Sequence, residues 1–205
     1  MYSRNYFFTL ISFIGFLLII KAQEPINKLL PNTFINDFKL KNFDNSIISL
    51  SNYKEAKGFI IVFTCNHCPF AKLYSKRFNA LNSKYKKLGV PLIAINSMDT
   101  LIYEEENFEG LKIKAIIEKF NFPYLSDASQ ETGKNFGALF TPQAFVIWKE
   151  ENKWIIKYNG AIDNNAEHPD KAKSYISEAV DQILNHNLVL NPKTDSFGCK
   201  IFYRN

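Results

Sequence analysis

Cysteine is scarce, three in 205 residues, which excludes a disulfide framework as the source of stability. Cys65 and Cys68 are close together, and Cys199 stands far away. No second close pair completes a four-ligand zinc site; the other donors would have to be His67, His168, His186 and Cys199. Excess positive charge is also slight, +5 over the chain. With no dense basic run interleaved with aromatics, nucleic acid is not an expected partner. Internal repeats, low-complexity linkers and a boundary for a second domain are all missing. A chain of this length can bury a full core as one domain.

A long membrane-spanning run is lacking as well. Residues 7–20 are apolar, but these 14 residues fall short of the roughly 20 that cross a bilayer. Arg4 precedes the run, and Ala22-Gln23 offers a small-residue cleavage point. The pattern predicts a signal peptide over residues 1–22, or an uncleaved N-terminal anchor, ahead of a domain over residues 23–205. No cysteine follows the run to carry a lipid. The expected location is periplasmic or extracellular, where disulfide chemistry persists. Membrane contact is expected only if the leader is retained.

What is present is a regular alternation of strand and helix patterns. Residues 30–50 read as two short strands around Asp44-Asn45, with Phe34, Phe38 and Leu40 on one side. Residues 59–63 form a continuous apolar strand of the kind buried on both faces. After Pro69, Phe70, Tyr74, Phe78, Leu81, Tyr85 and Leu88 keep helical spacing up to a stop at Gly89. Residues 92–95 are a second buried strand, and residues 100–108 read as an acidic surface loop. A helix over 111–120 should turn Leu111, Ala115, Ile116 and Phe120 inward. Residues 122–125 are extended, and Asp127 caps helical turns over 129–136. Thr141-Pro142 leads a strand at 144–148, joined by a longer loop to residues 154–158. A last helix starts near Asp170, and residues 188–205 form a tail with little periodicity. This order predicts an α/β fold with a central mixed sheet flanked by helices and an N-terminal strand extension.

Cys65-Asn66-His67-Cys68-Pro69 sits between the first buried strand and a helix. A helix entrance presents unpaired N–H groups and the positive end of the dipole, which favour a thiolate. The spacing lets a disulfide open and close without unfolding the turn. Pro69 fits an early helix position, where its missing N–H costs nothing. A protonated His67 would add positive charge and lower Cys65 below the ordinary thiol value of about 8.5. A more stable thiolate makes the disulfide more oxidising, so a potential above the about −270 mV of thioredoxin is expected.

With these residues in place, the chain resembles the thioredoxin superfamily. The nearest branch is the redoxins, which include alkyl hydroperoxide reductase and thiol-specific antioxidant proteins. More narrowly, it resembles a peroxiredoxin-like group carrying a Cys-Asn-His-Cys-Pro site. Further residues behind the resemblance are Phe122-Pro123-Tyr124-Leu125 with Asp127, Gly137-Ala138, and Thr141-Pro142. Tyr158-Asn159-Gly160 with Asp163-Asn164, and Gly198-Cys199-Lys200-Ile201, complete the set. The resemblance implies a thioredoxin-like fold in which Cys65 attacks and Cys68 resolves the mixed disulfide. It makes Pro142 a cis proline facing the dithiol, with Thr141 and Pro142 binding an extended substrate.

Two departures stand out. The proline and threonine that precede a peroxide-reducing cysteine are missing, since those places hold Gly58 and Val62 counted from Cys65, and Cys65 and Ile61 counted from Cys68. The buried aspartate that thioredoxins use as a proton relay is replaced by Phe59, which leaves His67 or water for that task. The leading expectation is an exported thiol–disulfide oxidoreductase acting through Cys65, Cys68, His67 and Pro142. It needs no bound cofactor or metal, since the redox-active disulfide carries the electrons. Partners would be protein or small-molecule thiols and disulfides, and an upstream thiol–disulfide reductant. The alternatives are a thiol-dependent peroxidase and, further off, a copper-handling module, since soft thiolates suit Cu(I). Cys199 is either a small buried hydrophobe or a third redox thiol.

Overall fold

The computed structural model describes residues 31–204; the leader expected at residues 1–22 lies outside them. The strands are β1 (Phe34–Ile35), β2 (Leu40–Asn42), β3 (Ile47–Ile48), β4 (Gly58–Phe63), β5 (Leu92–Asn96), β6 (Tyr124–Ser126), β7 (Phe140–Thr141), β8 (Gln143–Glu150), β9 (Lys153–Gly160) and β10 (Cys199–Lys200). The helices are α1 (Pro69–Leu73), α2 (Ser75–Tyr85), α3 (Phe108–Ile117), α4 (Glu131–Phe136) and α5 (Tyr175–Leu184).

Eight strands form one mixed sheet in the order β1-β9-β8-β4-β5-β6-β2-β3. β4 pairs in parallel with β5 and antiparallel with β8, and so lies inside the sheet. That position requires side chains buried on both faces, and every residue of β4 is buried. Alternation divides them. Ile60 and Val62 join Tyr74, Phe78, Ile176 and Val180 in one core beneath α2 and α5. Phe59, Ile61 and Phe63 join Phe136, Phe145, Ile147 and the two cysteines Cys65 and Cys68 in the other. There the rings of Phe63, Phe136 and Phe145 lie 5.2–5.7 Å apart, tilted or edge to face.

Several boundaries differ from the sequence reading for physical reasons. The segment after Pro69 is two helices meeting at Tyr74 rather than one, and Phe70 and Leu88 are left exposed. Asp163 holds that junction, accepting from Tyr74 Oη at 2.8 Å and from Arg77 Nη1 at 2.6 Å. On α3, Leu111 and Ala115 are buried, but Ile116 is 67% exposed. Apolar residues occur around that helix, so spacing alone does not choose its buried side. The β8–β9 hairpin closes through Glu151 and Asn152, both at positive φ, with Glu150 opposite Lys153. That is a two-residue turn, tighter than the expected loop. β1 leaves its expected neighbours and pairs with β9 at the opposite sheet edge. Asp127 does bind the first turn of α4, accepting from Thr132 N at 3.3 Å and from Gly133 N at 2.8 Å.

Phe145→Ala removes the ring that bridges Phe63 and Phe136 under the cysteines. The expected loss is about 3–5 kcal/mol of unfolding free energy, measured by chemical denaturation.

Candidate active site

The site begins where β4 ends. Cys65 and Cys68 are both 0% exposed, and Cys68 is the residue immediately before α1, in extended geometry. Opposite them stands Thr141. Its hydroxyl lies 3.0 Å from Cys65 Sγ, and its carbonyl oxygen accepts from Cys68 Sγ at 3.1 Å. The Thr141–Pro142 peptide is cis. The structure therefore brings Cys65, Cys68 and Thr141 together, with Pro142 next in the chain.

The acidic segment before α3 supplies what the sequence reading missed. Glu106 is not on the surface; it is 2% exposed and lies under the Cys65–Cys68 turn. Its carboxylate accepts from Asn66 N at 2.9 Å, His67 N at 2.7 Å and Asn96 Nδ2 at 2.7 Å. His67 Nδ1 lies 2.6 Å from the same carboxylate, so the proton on that nitrogen faces an acceptor. The His67 ring stacks on Tyr103 with centroids 4.2 Å apart. Asn66 is held further by Tyr124 Oη at 2.9 Å and by donating to Glu105 O at 2.6 Å. Gly110 permits this packing, because a Cβ there would lie 2.2 Å from Glu105 O. Lys114, reaching back from α3, donates to Cys65 O at 2.6 Å. Burial pushes the Lys114 ammonium below its ordinary pKa.

These groups set the thiol electrostatics. Interaction with Cys68 lifts Cys65 above the ordinary thiol range, and the same interaction draws Cys68 below it. Burial and the Glu106 charge push Cys65 higher still. The Cys199 thiol and the Ala71 and Cys199 amides hold Cys68 low against its own burial. Glu106, which pairs with His67 and places a negative charge beside Cys65, opposes the lowering of Cys65 by His67 that the sequence leads one to expect. Phe59, at the place of the thioredoxin relay, packs between Tyr53 and Trp154.

A metal could be held only by a limited donor set. Among the described residues, Cys65, His67 and Glu106 offer ligand atoms within 4.8 Å of one another. Glu106 already receives several N–H donors, which compete with an ion for its oxygens. His168 and His186 do not join that cluster.

Residues 31–163 match the model of the AhpC/TSA family, which covers most of the described domain. The chain belongs to the AhpC/TSA family. A chloroplastic peroxiredoxin Q of Triticum aestivum is 27% identical over 144 residues, which are 66% of this chain and 59% of that protein. The thiol-disulfide oxidoreductase ResA of Bacillus thuringiensis subsp. konkukian is 26% identical over 132 residues, 63% of this chain and 68% of the relative. Among solved structures, a hypothetical protein of Sinorhizobium meliloti 1021 superposes with a TM-score of 0.78 at 27% identity, covering 87% of this chain and 97% of that one. An uncharacterized conserved protein of Geobacillus kaustophilus gives 0.77 at 29% identity, covering 85% and 92%. The redoxin resemblance and the thioredoxin-like α/β fold are thereby established for this AhpC/TSA member.

Glu106→Gln keeps the side-chain shape but removes the charge beside Cys65. A thiol titration followed by thiolate absorbance should then show the Cys65 step moving to lower pH, since a nearby anion no longer opposes ionisation. An unchanged or higher midpoint would contradict this placement of the charge.

Proposed function

We propose that this AhpC/TSA protein is an exported thiol–disulfide oxidoreductase whose electron carrier is the Cys65/Cys68 dithiol. The observation that carries this reading is the pair of buried sulfurs meeting one residue, Thr141, through its hydroxyl and its carbonyl. A disulfide and a dithiol can interchange there with little movement of the turn, which Glu106 holds from behind. Oxidation removes two thiol hydrogens and joins the sulfurs; reduction restores them. The relatives named as a thiol-disulfide oxidoreductase and a peroxiredoxin support thiol chemistry with thiol or disulfide substrates. Export rests on the apolar leader at residues 7–20, which would place the site in a disulfide-permissive compartment.

Thiol peroxidase activity is the second reading, favoured by the family model. It is weakened by Gly58 and Val62 where a peroxide site places proline and threonine. Copper handling is weaker still, because the nearby carboxylate already receives N–H donors and is a hard ligand for a soft ion.

Two assays separate these activities. Reduction of insulin disulfides with dithiothreitol as the electron source should be catalysed and should fall to background in Cys65→Ser and Cys68→Ser. Steady-state peroxide consumption with the same reductant should be no faster than the uncatalysed rate. Rapid peroxide turnover without insulin reduction would reverse the assignment.

The coupled thiol pair also sets a pH profile. Because the donors around Cys68 lower its thiol below the ordinary range, the first thiolate of the reduced pair should form with a midpoint below about 8.5. A midpoint at or above that value would show that the donors around Cys68 do not stabilise its anion.

A further inference from the structure

The C-terminal tail crosses the front of the dithiol. β10 pairs antiparallel with β7, placing Cys199 opposite Thr141 and Lys200 opposite Phe140. Thr141 Oγ1 donates to Cys199 O at 3.4 Å, Ile201 N donates to Leu139 O at 2.9 Å, and Tyr203 Oη donates to Ala138 O at 2.7 Å. Buried Ile201 anchors the segment. Gly198 makes the approach feasible: its φ is +136°, and a Cβ would lie 2.2 Å from Thr141 O. The β7 edge that would receive an extended substrate is thus filled by the chain's own tail. Cys68 Sγ donates to the carbonyl of Thr141, the residue paired with Cys199, so the two cysteines meet at one position of β7. Cys65 and Cys68 are fully buried, whereas Cys199 is part-exposed. Cys199 also lies beyond residues 31–163, the span matched to the family.

We propose that Cys199 is the entry thiol of a three-sulfur relay, passing oxidation between external thiols and the buried pair through a Cys68–Cys199 disulfide. The proposal rests on the reading of Cys65 and Cys68 as a redox pair. From the oxidised pair, the Cys199 thiolate attacks Cys68 Sγ. The Cys68–Cys199 bond forms, the Cys65–Cys68 bond breaks, and Cys65 leaves as a thiolate that takes a proton. An external thiolate then attacks the accessible Cys199 Sγ, and Cys68 leaves with the electron pair. A second external thiolate attacks the external sulfur of that mixed disulfide, forming the product disulfide and releasing Cys199, which is protonated. Two external thiols are oxidised and one protein disulfide is reduced; with an external disulfide every step runs backwards.

The test uses the full chain with diamide as oxidant and reduced glutathione as the external thiol. After oxidation, alkylation and digestion, Cys65→Ser should yield a linked Cys68–Cys199 peptide by mass spectrometry. Cys199→Ser should still form the Cys65–Cys68 disulfide, but glutathione should reduce it at least about tenfold more slowly than in the wild-type protein. Failure to find the Cys68–Cys199 link in folded Cys65→Ser, or equal glutathione rates for wild type and Cys199→Ser, overturns the relay. If Cys65→Ser does not fold, the comparison of wild type with Cys199→Ser decides alone. Absence of the Cys65–Cys68 disulfide from both wild type and Cys199→Ser would overturn the redox-pair reading beneath the relay, and the relay with it.

Discussion

The buried Glu106 carboxylate is the constraint on which the site's geometry depends. A carboxylate taken out of water is costly unless its lone pairs are filled. Here they are filled by the amides of Asn66 and His67, the Asn96 side chain and the His67 ring. The same bonds satisfy the amides between the two cysteines, which would otherwise be buried without partners. One charge therefore fixes the turn, the orientation of His67 and the potential at Cys65. Lys114, on the helix that follows Glu106, bonds the Cys65 carbonyl and brings a positive charge to the same place.

Thr141 is the complementary wall. The cysteines meet it from the β4–α1 side and the tail meets it from β10, so three distant parts of the chain converge on one residue. β4 and β8 set the distance between these parts through a continuous antiparallel register, with Phe63 opposite Gln143. Beneath them the Phe63, Phe136 and Phe145 rings fill the space, so the sulfurs rest on a dry, close-packed floor. The pair is consequently held by backbone geometry more than by mobile side chains, a sound basis for a reaction that only makes and breaks one sulfur–sulfur bond.

Much of this was legible in the sequence. Apolar strands at 59–63 and 92–95 reflect periodic rules, and β4 and β5 lie there; the cis Thr141–Pro142 peptide was expected from the family resemblance rather than from spacing. Glu106 was not legible. Glu104, Glu105 and Glu106 read alike as a solvated run, and only the tertiary position of the Asn66 and His67 amides selects the third. The break at Tyr74 was hidden because apolar spacing continues across it, and Asp163 lies far along the chain. The role of the tail was hidden for another reason. β10 is two residues long, too short for periodicity, and its partner is fixed by Gly198 and the β7 edge rather than by its own pattern. Cys199 could be noted as a thiol, but its nearness to Cys68 follows only from that pairing.

The most direct test of the redox dithiol is differential alkylation of the protein equilibrated in glutathione buffers of graded potential. Cys65 and Cys68 should change together, as a two-electron transition with a midpoint above the about −270 mV of thioredoxin. Thiols at both positions across the whole range, or a pair that stays joined throughout it, would contradict the assignment.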